Sequence, residues 1–275
     1  MSNVSISTNK LTIGYRTQST EHRVQTDLDF SLRAGEMVCM LGPNGCGKST
    51  LLRTLAGLQP ALSGEYKLMA NGQEPTAKNI ALVLTERLSM DNTTVHDVVA
   101  MGRYPYTSFL GGLTEEDEKI IEESLKAVGF RLSENDSERS ISAAVCQRSG
   151  LSAQRSVAAV GSTMFNAHSD GEKQRILIAK ALAQQTPIIL LDEPTAHLDL
   201  PHRILILRLL RNLAHEQGKT VLISTHELDL ALALSDRILL MSPNGQGIQL
   251  DTPAALKKAD AFTSAFGMDI FNPLG

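Results

Sequence analysis

A glycine-rich segment at residues 42–49 carries the clearest chemical signal in the sequence. It reads Gly-Pro-Asn-Gly-Cys-Gly-Lys-Ser and fits the pattern G-x-x-x-x-G-K-[ST]. An apolar run precedes it at residues 37–41, and a helical apolar pattern follows it at 51–58. In this context glycines let backbone N–H groups surround a phosphate chain, while the lysine reaches the outer phosphates and the serine can bind Mg²⁺. We interpret the segment as a phosphate-binding loop (P-loop). The residues assigned to the nucleotide here are Gly42, Pro43, Asn44, Gly45, Cys46, Gly47, Lys48, Ser49 and Thr50.

A pair of acidic residues ends a second apolar run. Asp192 and Glu193 follow residues 188–191, where a parallel sheet places its ligands. Asp192 is the candidate Mg²⁺ ligand beside Ser49, and Glu193 is the candidate general base for an attacking water. Taken alone, Asp-Glu-Pro could also be an ordinary helix start.

Two further segments can contact an anion. His226 follows the apolar run 221–225, and a position on the same sheet edge favours a hydrogen bond to a terminal phosphate, although single histidines are often incidental. Lys48, Glu193 and His226 form the predicted catalytic set. Ser169 and Glu172 have the spacing of a capping box before a helix at 173–184, and a helix start that contains glycine is also an anion site.

The elements that must position these residues alternate in type. Apolar runs of strand length recur and are separated by helical patterns such as 203–216, which predicts a mostly parallel sheet covered by helices. These runs lie at 37–41, 80–84, 187–191, 220–224 and 237–241, with weaker alternation at 11–15 and 29–32. Residues 94–129 are helical in pattern. We therefore predict a core at 1–87 and 173–255 and a helical subdomain at about 88–172. The subdomain includes a Ser- and Ala-rich surface insertion at about 131–168, and the tail at 256–275 is unassigned.

Composition excludes several classes of protein. The chain has 275 residues, 42% of them apolar and 20% charged, so it is neither a disordered nor a collagen-like chain. A net charge of −4 makes nucleic acid a poor candidate partner. No apolar run approaches the roughly 18 residues of a membrane span, and the start lacks the apolar stretch of a secretory signal, so we expect a cytosolic location. The 3 cysteines are expected to be reduced thiols.

Taken together, these residues resemble the ATP-binding cassette (ABC) ATPases over essentially the whole chain to about residue 255. The resemblance implies an α/β fold with a RecA-like P-loop NTPase core, an antiparallel β region near the N-terminus and an inserted α-helical subdomain. It also implies a homodimer that sandwiches two ATP molecules with Mg²⁺. Ser169 and Gly171 would close over the nucleotide held by the P-loop of a second copy. By the same resemblance Tyr15 would stack on adenine, the segment ending at Asp199 would act across the dimer, and His226 would be the switch histidine.

A narrower resemblance lies in Met-Gly-Arg-Tyr-Pro-Tyr at residues 101–106, followed by Leu-Thr-Glu-Glu-Asp at 113–117. This pair is similar to ATPases of importers for iron–siderophore complexes, haem and cobalamin. It implies integral membrane permease subunits, an indirectly associated substrate-binding protein, and a peripheral location on the cytoplasmic face of the inner membrane. On the residues alone, 102–105 could be only a helix-ending turn whose aromatic side chains pack into the core.

The chain departs from the family pattern at three places. Thr85 and Glu86 stand where a glutamine is usual, so the contact with Mg²⁺ there would come from one of these side chains or from water. His168 replaces the usual leucine, and acidic residues at 170 and 172 add negative charge beside a phosphate site. The segment 131–168 is longer than expected. The altered signature and the segment 131–168 keep open the alternative of a degenerate cassette with a binding or regulatory role. A soluble cassette ATPase that acts mechanically on nucleic acid or ribosomes is a separate alternative.

Overall fold

The structure is a computed structural model that describes residues 4–17, 20–69, 79–85, 90–107, 112–130, 160–243 and 247–267. The predicted insertion up to residue 159 and the candidate Glu86 lie outside these ranges. The chain forms two compact units. The first comprises Met1–Thr85, Thr186–Pro194 and Leu207–Gly275, and the second comprises Glu86–Gln185 and Thr195–Ile206. The sequence-based boundaries near 87 and 172 stay predictions. Within the described ranges, no helix is both long enough and apolar enough to cross a membrane.

The described strands all belong to the first unit. They are β1 Val4–Arg16, β2 Glu21–Leu28, β3 Ser31–Arg33, β4 Met37–Leu41, β5 Ser63–Leu68, β6 Ile80–Val83, β7 Ile188–Asp192, β8 Thr220–Ser224, β9 Arg237–Met241 and β10 Ile248–Asp251. A six-stranded sheet has the order β10-β9-β4-β8-β7-β6. Its pairs are parallel except for β10 with β9. Strands β4, β7 and β8 are buried at every position, as expected for a parallel sheet covered on both faces.

The second sheet is antiparallel and centres on β1, which pairs with β2, β3 and β5. Strand β1 is buried at the four consecutive residues 11–14, whereas β2 and β5 each begin with three exposed residues, so this sheet is only partly covered. The predicted α/β class and the antiparallel region near the N-terminus are confirmed. The apolar faces of both sheets share one core, which includes Leu11, Leu28, Leu51, Leu190 and Leu239.

The described helices are α1 Lys48–Leu55, α2 Val95–Ala100, α3 Glu115–Ala127, α4 Asp170–Ala183, α5 Leu200–Gln217, α6 Leu228–Leu234, α7 Pro253–Lys258 and α8 Ala261–Phe266. In the second unit α2, α3 and α4 pack against one another. Each of these three begins with a capping box, in which a Thr or Ser hydroxyl and an acidic residue three positions later satisfy the first amides reciprocally. The predicted capping box of Ser169 and Glu172 is therefore present.

Candidate functional site

Three neighbouring strands of the parallel sheet end at one edge of the first unit. Strand β4 leads into the P-loop, β8 leads into His226, and β7 ends at Asp192. The strands lie side by side in the order β4-β8-β7, and Ser224 is in register with both Met40 and Asp192. The sheet topology thus brings three of the predicted motifs to the same edge.

The P-loop turns into α1 without any side-chain cap. Gly47 is the N-cap residue, with a left-handed φ of 104°, and the first turn of α1 contains no acidic residue. A Cβ on Gly47 would lie 2.6 Å from Val24 Cγ1, so only glycine fits this close approach. The first amides of α1 are consequently free of competing side chains and of negative charge, which is the arrangement that favours an anion at a helix start.

Lys48 is buried and folds its side chain back over the loop. Its ammonium donates hydrogen bonds to the carbonyls of Gly42, at 2.8 Å, and Pro43, at 3.1 Å. Burial raises the pKa of the neighbouring Cys46 thiol although the charge of Lys48 opposes this, so the thiol stays protonated. Tyr15 is 46% exposed, and its hydroxyl shares a hydrogen bond of 2.9 Å with the hydroxyl of Thr50. The predicted adenine-stacking residue therefore lies next to the P-loop helix.

Asp192 presents a buried carboxylate at the end of β7. Its Oδ1 accepts a hydrogen bond from the hydroxyl of Ser224 on β8, and its backbone carbonyl accepts one from Thr85 Oγ1 at 2.9 Å. The hydroxyl of Thr85 thus lies beside the predicted metal ligand. The donors at this edge are carboxylate and hydroxyl oxygens, which suit Mg²⁺. Among the described residues no group of three or more His, Cys, Asp or Glu side chains could hold a metal ion.

Glu193 has an unusual backbone conformation for a residue with a side chain. Its φ is 46°, and its N–H donates to both the carbonyl and the hydroxyl of Ser224, at 3.1 and 3.0 Å. Conformations of this kind are uncommon outside glycine and occur often at functional sites. Glu193 Oε1 lies 3.6 Å from His226 Nδ1, and the His226 side chain is 60% exposed. The predicted base and the predicted switch histidine are therefore neighbours on the open side of the edge.

The predicted signature segment lies in the second unit, at the start of α4. Ser169 Oγ donates to Glu172 Oε2 at 2.9 Å and accepts from the Glu172 N–H at 3.3 Å. The imidazole of His168 lies beside this pair, with Nδ1 3.5 Å from Glu172 Oε2 and Nε2 2.7 Å from Thr163 Oγ1. The hydroxyl proposed to meet a phosphate is thus already bonded within its own helix.

Gly171 is in direct contact with the segment that contains Asp199. A Cβ on Gly171 would lie 2.8 Å from the carbonyl oxygen of His197, a residue with a φ of 66°. Asp199 accepts a close hydrogen bond from Nδ1 of His202, which lowers the pKa of its carboxyl. Two segments predicted to act across a dimer are therefore packed together within one chain.

The segment Met101–Tyr106 forms a 3-10 helix that packs on the C-terminal end of α4. Gly102 leaves no room for a Cβ, which would lie 2.4 Å from the Lys180 carbonyl. Arg103 donates to Asp117 at 2.8 Å and to the last-turn carbonyl of Ala183 at 2.9 Å. The idea that the aromatic side chains pack into the core is wrong. Tyr104 and Tyr106 are 58% and 42% exposed, and the buried side chain is that of Arg103.

Three residues of this geometry were missed from the sequence. Ser224 reads as the last residue of a buried strand, yet its hydroxyl and carbonyl hold Asp192 and Glu193. His202 precedes the predicted helix at 203–216 and was given no role, although its position three residues after Asp199 is the spacing of a side-chain contact at a helix start. Arg103 belongs to the motif at residues 101–106 but was given no role of its own, and its burial follows only from tertiary packing.

Comparison with known proteins identifies the family. A family profile described as "ABC transporter" matches residues 25–196. The chain is 34% identical over 266 residues to the iron(3+)-hydroxamate import ATP-binding protein FhuC of Bacillus subtilis, covering 92% of this chain and 87% of that protein. It is 32% identical over 271 residues to the achromobactin transport ATP-binding protein CbrD of Dickeya dadantii, covering 96% and 88%.

Among solved structures, the fold is similar to that of an ABC transporter described as being of the metal-chelate type, in an inward-facing conformation. The TM-score is 0.74 at 26% identity, and the match covers 96% of this chain and 90% of the other. The P-loop, the paired acids after β7 and the histidine after β8 stand at one sheet edge in this chain. The chain belongs to the ABC transporter family, and within it to the ATPase subunits of importers.

Proposed function

We propose that this chain hydrolyses ATP and couples Mg²⁺-ATP binding and hydrolysis to the uptake of an iron–siderophore complex, haem or cobalamin through a separate membrane permease. The observation that carries the proposal is the convergence of the P-loop, Asp192, Glu193 and His226 at one edge of the sheet. The import cargo rests on the relatives, two of which are named for iron hydroxamate and achromobactin transport.

The phosphates of ATP are bound by the loop and by the start of α1. The amides there have no side-chain cap, and the helix dipole favours the anion. Lys48 exchanges the carbonyls of Gly42 and Pro43 for phosphate oxygens that lie in the same cradle. Tyr15, whose hydroxyl is hydrogen-bonded to Thr50 of α1, supplies an exposed aromatic ring on which adenine can stack.

The oxygen donors of Ser49 and Asp192 would hold Mg²⁺, with the hydroxyl of Thr85 nearby. When bound, the metal neutralises charge on the phosphates. Ser224 holds the Asp192 carboxylate in position, so this ligand needs no rearrangement before the nucleotide arrives.

Hydrolysis needs a positioned base. The attacking water gives a proton to the Glu193 carboxylate while its oxygen bonds to the terminal phosphorus, and the bond from phosphorus to the ADP oxygen breaks. The backbone of Glu193 is fixed by two hydrogen bonds to Ser224, so its carboxylate has a defined direction. His226, 3.6 Å away, contacts the terminal phosphate and orients this carboxylate.

Two copies of the chain complete the site. Ser169 and Gly171 of one copy close over the phosphate held by Lys48 of the other, and Asp199 contributes from the adjoining segment. The partners are a membrane permease and, through it, a substrate-binding protein, so the chain works at the cytoplasmic face of the membrane.

The test uses the full chain purified together with its permease. Phosphate release is measured with ferric siderophore, haem or cobalamin added to the complex. We expect Glu193→Gln to retain ATP binding and to lower turnover by at least about a hundredfold, the effect of losing a positioned base. Glu65→Gln, an exposed substitution on β5, is the matched control and should leave turnover unchanged. Undiminished phosphate release by Glu193→Gln would contradict the assignment.

A further inference from the structure

Gln25 is a buried polar residue in a strand that contains no recognisable motif. It lies on β2, opposite Ile13 of β1, and its relative exposure is 0%. Uncharged amides are usually found at the surface, and a buried one is normally explained by the hydrogen bonds that it makes. The contacts of Gln25 therefore show what the residue does.

The side-chain amide of Gln25 connects the P-loop to the end of β9. Its Nε2 donates one hydrogen bond to the Cys46 carbonyl at 2.9 Å and another to the Ser242 carbonyl at 2.7 Å. Both acceptors are backbone carbonyls, so the NH₂ group, with its two protons, is the only end of the amide that can serve them. Ser242 is itself held by a hydrogen bond from its N–H to the Gly247 carbonyl, so the amide is anchored to a fixed point.

The Cys46 carbonyl has a direct consequence for the phosphate cradle. It shares one planar, trans peptide unit with the Gly47 N–H, and in such a unit the C=O and the N–H point in opposite directions. Strand β2 packs against this peptide, since a Cβ on Gly47 would meet Val24 Cγ1 at 2.6 Å and Gln25 Cγ at 3.6 Å. By holding the carbonyl toward β2, the amide fixes the Gly47 N–H toward the opposite side, where the loop amides bind phosphate.

The other end of the Gln25 side chain makes no compensating contact. Among the described residues Oε1 has no hydrogen-bond partner, although the atom is fully buried. A buried acceptor without a partner is destabilising, so an apolar side chain would serve packing better at this position. The amide is thus explained by its two donors and by the loop that one of them holds.

We propose that Gln25 is a positioning residue of the nucleotide site, which fixes the Gly47 N–H by holding the Cys46 carbonyl to the end of β9. The proposal rests on the ATP-binding function proposed above. Gln25 is proposed to affect the binding of the nucleotide before reaction, through phosphate groups that are present in both ATP and ADP. Loss of the amide should therefore weaken both nucleotides equally and leave the chemical step nearly unchanged.

The test is Gln25→Met, which keeps the length of the side chain and removes both donors. Binding of MgADP and MgATP to the full chain is measured by calorimetry, together with kcat and KM for phosphate release. We expect both dissociation constants and KM to rise about tenfold, the scale of a lost hydrogen bond, with kcat within about twofold of wild type. A residue that only supports the fold would lower the melting temperature and leave these constants unchanged in folded protein.

Gln25→Glu gives an independent readout. An ionised carboxylate is an acceptor only and opposes both carbonyls, whereas the protonated carboxyl can donate one hydrogen bond. We expect nucleotide affinity of this variant to be weakest near pH 8 and to recover as the pH falls toward 6, relative to Gln25→Met measured at the same pH. Thr186→Val is the matched control. It also removes a buried hydrogen bond from a side chain to a backbone carbonyl, that of Ile188 at 2.9 Å, but at the end of β7 that lies away from the P-loop. It should bind both nucleotides like wild type.

The outcomes separate the two proposals. If wild type binds neither MgATP nor MgADP, or if Lys48→Ala binds them equally well, the proposed function fails. If wild type binds both and Gln25→Met binds them with unchanged constants, only the role of Gln25 is overturned. Unfolding of both Gln25 variants would also overturn it, since Gln25 would then be a residue that the whole fold requires.

Discussion

Two helix starts, α1 of one copy and α4 of a second copy, are proposed to contact the same phosphate, and their local chemistry is opposite. Helix α1 begins at a left-handed glycine, Gly47, with no side-chain cap and no acid in its first turn. Helix α4 begins with a complete capping box between Ser169 and Glu172, and a second acid, Asp170, lies in its first turn. One start leaves its amides to a ligand, and the other satisfies them within the helix.

The difference shows why a helix start alone does not define an anion site. The helix dipole is similar in both helices, but the side chains at each start determine whether binding of an anion is favourable. At α1 the phosphate replaces only the internal contacts of Lys48. At α4 it must draw the Ser169 hydroxyl away from Glu172 and approach two carboxylates. We therefore expect α1 to determine nucleotide binding and α4 to determine closure of the dimer.

The largest effect is expected when the α1 site is broken. Lys48→Ala removes a charged hydrogen-bond donor to phosphate, which is worth about 1.5–3 kcal/mol, so nucleotide affinity should fall roughly 10- to 100-fold or more. Ser169→Ala should leave the affinity of a single copy unchanged and should lower turnover only. Calorimetry on the E193Q background, at protein concentrations below dimer formation, measures the single-copy affinity. Phosphate release by the same variants with Glu193 intact measures turnover. Equal loss of single-copy affinity in the two variants would remove the distinction between the helix starts.

An intermediate effect is expected from crowding the α4 site. The Cβ added by Gly171→Ala would lie 2.8 Å from the His197 carbonyl and must displace the segment that leads to Asp199. We expect turnover to fall about tenfold while single-copy nucleotide affinity is kept, because misplacement by a fraction of an ångström costs an enzyme this much. Gly161→Ala in the same unit is the control, since among the described residues its Cβ would meet His96 Cβ at 3.4 Å, an ordinary van der Waals contact. Wild-type turnover in Gly171→Ala would show that this contact is irrelevant to closure.

A smaller effect is expected from neutralising the α4 tip. Glu172→Gln keeps an acceptor for Ser169 but removes a negative charge beside the proposed phosphate contact of Ser169. The ATP concentration for half-maximal turnover should fall about threefold at low salt and less at high salt, because surface charges are screened. Glu116→Gln, an exposed acid in the first turn of α3, serves as the control. A rise in the required ATP concentration would mean that the carboxylate assists closure.

The motifs of the first unit could be predicted because their chemistry is local. A glycine loop between a strand and a helix, and acids after a buried apolar run, are each readable within about ten residues. Strand β2 was missed because Glu-His-Arg-Val-Gln-Thr-Asp-Leu lacks apolar alternation, and its pairing with β1 determines its conformation. Gln25 was missed with it.

The contacts of the second unit depend on residues far apart in sequence. Arg103 is buried because Asp117 and the end of α4 surround it, and no pattern near residue 103 predicts this. The capping boxes are an exception, since four adjacent residues define each of them. Ser169 and Glu172 were predicted from that spacing alone, whereas the contact of His168 with Thr163 depends on the fold of the intervening turn.

The smallest expected effect is on acid stability, and it tests whether the capping boxes that distinguish the second unit from α1 also stabilise it. The pKa of Asp117 is lowered from 3.8 to about 2. The largest cause is the hydrogen bond from the Thr114 N–H, followed by those from Arg103 and from the Thr114 hydroxyl. A carboxyl whose pKa is lower in the folded than in the unfolded state stabilises the fold above the unfolded value, and this contribution is lost as the pH falls toward the folded value. Hydrogen bonds from Thr94 lower the pKa of Asp97 in the same way.

We therefore expect the free energy of unfolding, measured by denaturant titration, to decrease between about pH 4 and pH 2, because the unfolded chain binds more protons there. Asp117→Asn should be less stable at pH 7 and should show a flatter decrease over this interval, since it has no carboxyl to titrate at that position. Hydrogen exchange locates the effect. Amides of α3 should lose protection first, while those of α1, which has no acid in its first turn, should keep theirs until the whole chain unfolds. Simultaneous loss of protection in α1 and α3 would show that the capping box of α3 makes no separate contribution to stability in acid.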